Sequence, residues 1–150
     1  LLLRAGDLGA SPTLVPLFLA EMSLVYALAA YPAGLLFDRG GKRLSLGLSL
    51  CVLAVAHGCH ALAGGLALFA VGVALYGLHL GLSQGVLAAW LADLAPPELR
   101  GTAFGLFHLV SAGGLLLSGA SFGWIWQSSA PAGAFALGAA AALLGLALLP

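Results

Sequence analysis

Apolar residues run along this chain in blocks far longer than one face of an amphipathic helix requires, and the polar positions gather in short clusters between the blocks. A bilayer core of about 30 Å takes about 20 residues of helix. That ruler gives five spans, running roughly from Thr13 to Phe37, Leu44 to Leu62, Leu66 to Leu91, Thr102 to Trp126 and Ala132 to Leu149. The separators are rich in helix breakers and charge: Arg39, Gly40, Gly41, Lys42 and Arg43; Gly64 and Gly65; Asp93, Pro96, Pro97, Glu98 and Arg100; Ser128, Ser129 and Pro131. No linker or low-complexity tail divides the chain. The expectation is therefore a single all-α domain over residues 1–150, a polytopic bundle of transmembrane helices.

Composition strengthens this reading. The 150 residues are 62% hydrophobic and 7% charged, against roughly a quarter charged in soluble domains. Too little polar surface exists to cover a soluble globule, so the outside is expected to face lipid. Formal net charge is zero, which gives no basic excess for nucleic acid, and no nucleic-acid motif is present. Cys51 and Cys59 fall inside an apolar run rather than in a disulfide framework. The chain opens on Leu1 with no charged region ahead of an apolar stretch, so no signal peptide is visible, and Leu1 to Leu3 read as the end of a helix that begins earlier.

Orientation follows from the basic residues, which cytoplasmic loops retain. The first and third separators share a side and hold Arg39, Lys42, Arg43 and Arg100; only Arg4 falls on the other. The 38–43 segment is therefore expected in the cytoplasm, with Trp90 at the inner interface and Trp124 and Trp126 at the outer one.

The segment Pro32, Ala33, Gly34, Leu35, Leu36, Phe37, Asp38, Arg39, Gly40, Gly41, Lys42, Arg43 resembles the signature of the major facilitator superfamily: glycine, any residue, leucine, any residue, aspartate, arginine, any residue, glycine, two basic residues. The physical logic stands beside the resemblance. Glycines allow a tight turn, the acid suits a neighbouring helix N-terminus, and the basic residues suit an anionic leaflet. The run from Ala92 through Pro96, Pro97, Glu98, Arg100 and Gly101 to Gly105 looks like the connection before the eleventh helix of many bacterial members.

Since three spans follow the second span of the signature pair, the resemblance implies helices eight to twelve, with Leu1 to Gly9 the end of helix seven. It implies a C-terminal half whose partner is the N-terminal half of the same transporter. It also implies that Asp38, and the helix start at Arg100 and Gly101, dock against that half. The implied function is secondary active transport of an unidentified small solute by alternating access, coupled to an ion gradient with protons the simplest choice. The expected location is the plasma membrane, or the inner membrane if the source is bacterial. A non-transporting scaffold or remnant half-transporter is the alternative.

Several side chains are candidates for chemistry. Glu21 lies about 12 Å into the first span, where a carboxylate must face protein or water, pair, or hold its proton; proton binding or a cationic substrate would use it. On the third span Gly72, Tyr76, His79, Ser83 and Trp90 share a face, which either lines a solute cavity or makes interhelical hydrogen bonds. Gly77, Gly81 and Gly85 form a second ridge suited to close packing, with Gln84 between the two. On the fourth span His108, Ser111, Ser118 and Phe122 share a face, so His108 and Ser111 are either solute or proton contacts or packing residues. His57, Cys59 and His60 make an incomplete zinc site, so no metal is expected. No Walker loop, nucleophile elbow or paired-carboxylate motif appears, and neither a cofactor nor an enzymatic activity is expected.

Single cysteines at Gly40 and Ser129, in a background lacking Cys51 and Cys59, are expected to report opposite sides of the membrane. Labelling of the Gly40 site by an impermeant reagent in intact cells would defeat this topology.

Overall fold

A computed structural model describes residues 1–128 and 131–149, and no strand occurs among them. Ser129 and Ala130, in the fourth expected separator, and Pro150 lie outside the described residues. The elements in order are α1 (Leu2–Asp7), α2 (Val15–Leu62), α3 (Leu66–Leu94), a 3₁₀ turn (Pro97–Leu99), α4 (Arg100–Ser128) and α5 (Pro131–Ala147). Three of these are long and apolar enough to cross a membrane: Val15–Leu62, Leu66–Leu94, and Pro97–Ser128 with its leading turn. Pro131–Ala147 is apolar and shorter. The protein is an all-α membrane helix bundle.

The first two expected spans differ from expectation in how they join. No loop separates them: α2 counts 48 residues, and within it only Gly41 leaves helical geometry, at φ 78° and ψ 173°. A straight helix of that length would run about 72 Å, more than twice the hydrocarbon thickness. Gly41 divides it into a first arm, 15–40, and a second arm, 42–62. Glycine occupies this left-handed region without the Cβ clash that other residues meet, so one residue turns the chain where the sequence suggested five.

The contacts of α3 show that the arms are antiparallel. Going along α3, Gly77 meets Met22 and Gly81 meets Ala29, in the same order as the first arm. Gly72 meets His60, His79 meets Ser49 and Asp93 meets Lys42, in the order opposite to the second arm. The third helix therefore lies between the two arms, and its glycine ridge and its polar stripe face different ones. On the other side of the second arm, α5 packs antiparallel, with Gly138 against His57, Gly145 against Leu50 and Gly47 against Leu146. The α2 turn and the end of α3 thus share one end of the bundle.

Small residues dominate the interior: Ala5, Ala29, Ala33, Ala56, Ala63, Ala134 and Ala142 are buried with Ser45 and Ser49. This is how helices pack closely in lipid, where burying leucine gives no advantage. Phe69 and Val73 form one larger cluster with Ala5 and Ala63, against which Phe18 and Met22 pack. Helix α1 ends on a Schellman motif: Gly9, at φ 80°, donates its N–H to Gly6 O, and Ala10 N–H reaches Ala5 O. Arg4 then ties α1 to the end of α2 through a 2.6 Å hydrogen bond to Ala63 O. Helix α4 has no buried residue along its 29 residues.

A methyl group at Gly77 would strike the Met22 carbonyl, whereas one at Gly85 would meet nothing within 4 Å. Gly77→Ala is therefore expected to cost about 1–3 kcal/mol by overpacking, and Gly85→Ala to be tolerated. Thermal unfolding of the full-length protein in detergent measures the difference. Equal melting of the two variants would show that the α2–α3 contact is slack.

Candidate functional site

The turn between the arms of α2 carries the signature residues. Gly34 is exposed with no neighbour where a Cβ would stand. Asp38, Arg39 and Arg43 are exposed and make no hydrogen bond or ion pair among the described residues. Lys42 behaves differently. Its Nζ lies 2.7 Å from Asp93 Oδ2 and 5.7 Å from the centroid of the Trp90 ring, so it joins the turn to the last residues of α3. An ion pair this exposed is worth about 1 kcal/mol or less, and the indole contact adds about 0.5–1 kcal/mol. Together they fix register more than they stabilise. Arg100 and Gly101 are exposed at the start of α4, beyond the 3₁₀ turn.

Between the second arm and α3 runs a seam of polar side chains. His79 Nδ1 stands 2.7 Å from Ser49 Oγ and 3.1 Å from the Ser49 carbonyl. A carbonyl only accepts, so Nδ1 carries the proton in this arrangement and Nε2 is left as an acceptor. Ser83 Oγ donates to His79 O at 2.9 Å, and Ser49 Oγ reaches the same carbonyl at 3.2 Å. Tyr76 lies beside His79, ring centroids 5.8 Å apart, and His57 lies 6.4 Å from Tyr76 on its other side. The structure thus brings Tyr76, His79 and Ser83 together, and adds Ser49 and His57 to them.

Farther along the seam, His60 is almost fully buried between Phe69 and Phe135, each ring centroid 5.1 Å from its own. Its Nδ1 donates to Ala56 O at 2.7 Å, and its Nε2 has no partner among the described residues. Gly72 makes room for this imidazole, since a methyl there would strike the ring. A cavity of about 480 Å³ opens beside it, lined by His57, His60, Tyr76, Ser118, Phe122 and Phe135 among others. Residues 118 and 122 belong to the polar face expected on the fourth span, and they meet the third-span stripe here.

Other candidates stand apart. Glu21 is partly exposed on the first arm and makes no hydrogen bond or ion pair among the described residues. His108 and Ser111 are exposed on α4, where the His108 ring meets that of its neighbour Phe107 edge-on at 5.5 Å. Of the packing glycines, Gly77 and Gly81 abut the first arm and Gly85 faces open space.

Sequence reasoning missed Ser49 and Asp93 as partners and weighed His57 and His60 only as metal ligands. A signal for part of this existed. Ser45, Ser49, Ala56 and His60 recur at helical spacing on one face of the second arm, and that face meets α3. No spacing rule could have joined Lys42 to Asp93, 51 positions away.

No curated protein sequence matches the chain. The family comparison is positive: the profile of the Major Facilitator Superfamily matches residues 1–150. With that match over the whole chain, on an all-helical membrane bundle whose α2 carries Gly34, Asp38, Arg39, Gly41, Lys42 and Arg43 at and before its turn, the protein belongs to the major facilitator superfamily of membrane transporters.

Proposed function

We propose that the chain is one half of a secondary active carrier that moves a small solute by alternating access, driven by an ion gradient. Family membership carries the transport reading. Its half-carrier form is supported by α4, a 29-residue helix with no buried residue, whose exposed surface is available to another part of the protein. The two halves of such carriers rock about a site between them. On this reading the described bundle is the C-terminal half, it sits in the plasma membrane with the 38–43 turn in the cytoplasm, and the N-terminal half covers α4.

Coupling is assigned to Glu21. A carboxyl group in a membrane-spanning arm, with no partner among the described residues, is costly unless it binds a proton or a cation. The seam of Tyr76, His79 and Ser83 supplies hydrogen-bonding groups at the depth of the second arm, and His108 and Ser111 on α4 face the side assigned to the other half.

Glu21→Gln keeps the side-chain shape and removes the charge. In the full-length protein it is expected to lower gradient-driven accumulation by about 5- to 150-fold, the usual range of a coupling free energy, with insertion unaffected. Unchanged accumulation and unchanged pH dependence would return Glu21 to a packing role.

Asp38 has no partner within the described residues, as a group that meets the other half should. A charge at a helix terminus contributes about 0.3–1 kcal/mol when exposed and up to about 2 when partly buried. Asp38→Asn should therefore shift the balance of inward-open and outward-open states several-fold to about thirtyfold. Cysteine accessibility on both faces, measured beside transport, reads the shift. Loss of insertion, or no change in either readout, defeats the docking role.

A further inference from the structure

At the end of the bundle where α2 turns, an open recess of about 650 Å³ is lined by Gly40, Gly41, Lys42, Arg43 and Trp90. Its charge is positive. The Lys42 ammonium has three N–H donors and Asp93 accepts one of them, so donors remain. Arg43 is exposed and makes no ion pair or hydrogen bond among the described residues. Asp38 belongs to the same turn but does not line the recess. Two adjacent cations set against one carboxylate, over an indole, are complementary to an anion with an attached organic group.

The recess also opens onto an apolar track. Leu44 folds back over Gly40, where an added methyl would meet its side chain. From Leu44 the second arm exposes Leu48, Cys51, Val55 and Leu62, spaced by three, four or seven residues and therefore on one helix face. A phosphate ion would use only the recess. A phospholipid would use both the recess and the track.

We propose that this recess is a binding site for an anionic phospholipid. Lys42 and Arg43 hold the phosphate, Trp90 packs against the glycerol and head group, and an acyl chain follows Leu44 and Leu48. Arg and Lys both bind phosphate, and basic pockets between membrane helices suit anionic head groups. The site rests on the membrane-spanning reading and not on transport, so lipid binding tests it whether or not the protein carries a solute.

The experiment is native mass spectrometry of the full-length protein in detergent, titrated with phosphatidylglycerol, with phosphatidylcholine of the same chain length, and with inorganic phosphate. Phosphatidylglycerol should be retained in preference to phosphatidylcholine, and inorganic phosphate should not displace it at equal concentration. Arg43→Gln should weaken retention about fivefold, the worth of one basic side chain at an anionic surface. Arg39→Gln, in the same turn but outside the recess, should weaken it distinctly less than Arg43→Gln. Lys42→Gln should weaken it at least as much as Arg43→Gln; if it also loosens the fold, Arg43→Gln carries the test, because that side chain has no partner to lose. Equal retention of the two lipids, or equal losses for Arg39→Gln and Arg43→Gln, would overturn the site in favour of diffuse attraction. Displacement by inorganic phosphate at equal concentration would overturn it in favour of a free-anion site.

Discussion

Helices in hydrocarbon gain little by hiding leucine from a solvent as apolar as leucine; they are held by close approach and by polar contacts between them. Here the close approach is concentrated on α3. Gly77 and Gly81 admit the backbone of the first arm of α2, at Met22, Tyr26 and Ala29, while Gly72 admits the His60 ring of the second arm. With a side chain at Gly77 or Gly81 the third helix would stand farther from the first arm, and one at Gly72 would strike the His60 ring on the same face as the Ser49–His79 contact at 2.7 Å. Gly77 and Gly81 thus set the approach to the first arm, and Gly72 sets the approach to the second, where the polar seam runs. The turn at Gly41 is the condition for the glycines having two arms to meet.

The seam in turn accounts for how histidines and serines are tolerated within a membrane bundle. A polar group without a partner costs several kcal/mol in lipid. Ser23, Ser83, Ser118, Ser121 and Ser128 answer this locally by donating to a carbonyl three or four residues back. Ser49 and His79 answer it across the helix pair. Ser45 Oγ, His60 Nε2 and Arg4 Nε are buried without a partner among the described residues, so the interior is not polar-neutral. They lie at different depths on the same helix pair and its α1 strap.

Much of this was legible in the sequence because the bilayer imposes one length scale and one backbone solution. Span positions, the breakers between them and the all-helical class follow from that scale alone. The two faces of α3 were legible too, since a 3.6-residue period separates Gly77 and Gly81 from Gly72, Tyr76, His79 and Ser83. What sits opposite each face was not. Helix-pair order depends on how the chain turns at 40–43, and a Gly-Gly pair between basic residues reads equally well as a five-residue loop or as a single left-handed residue. Gly85 shows the complementary limit: its spacing continues the ridge, but nothing stands within 4 Å of where its Cβ would be. Periodicity finds a face and says nothing about where its partner ends.

The charges of the turn divide by what they touch. Lys42 is engaged with the exposed end of α3, at Asp93 and Trp90, while Asp38, Arg39 and Arg43 reach no partner among the described residues. A pin of one exposed ion pair and one cation–π contact is worth about 1–2 kcal/mol at most. That registers the turn on α3 and is too weak to resist a competing partner of similar strength. The remaining charges sit on this registered turn, beside the junction of the two arms. The Gly41 turn joins the two arms of α2 by backbone geometry, and Lys42 ties that turn to α3 by charge.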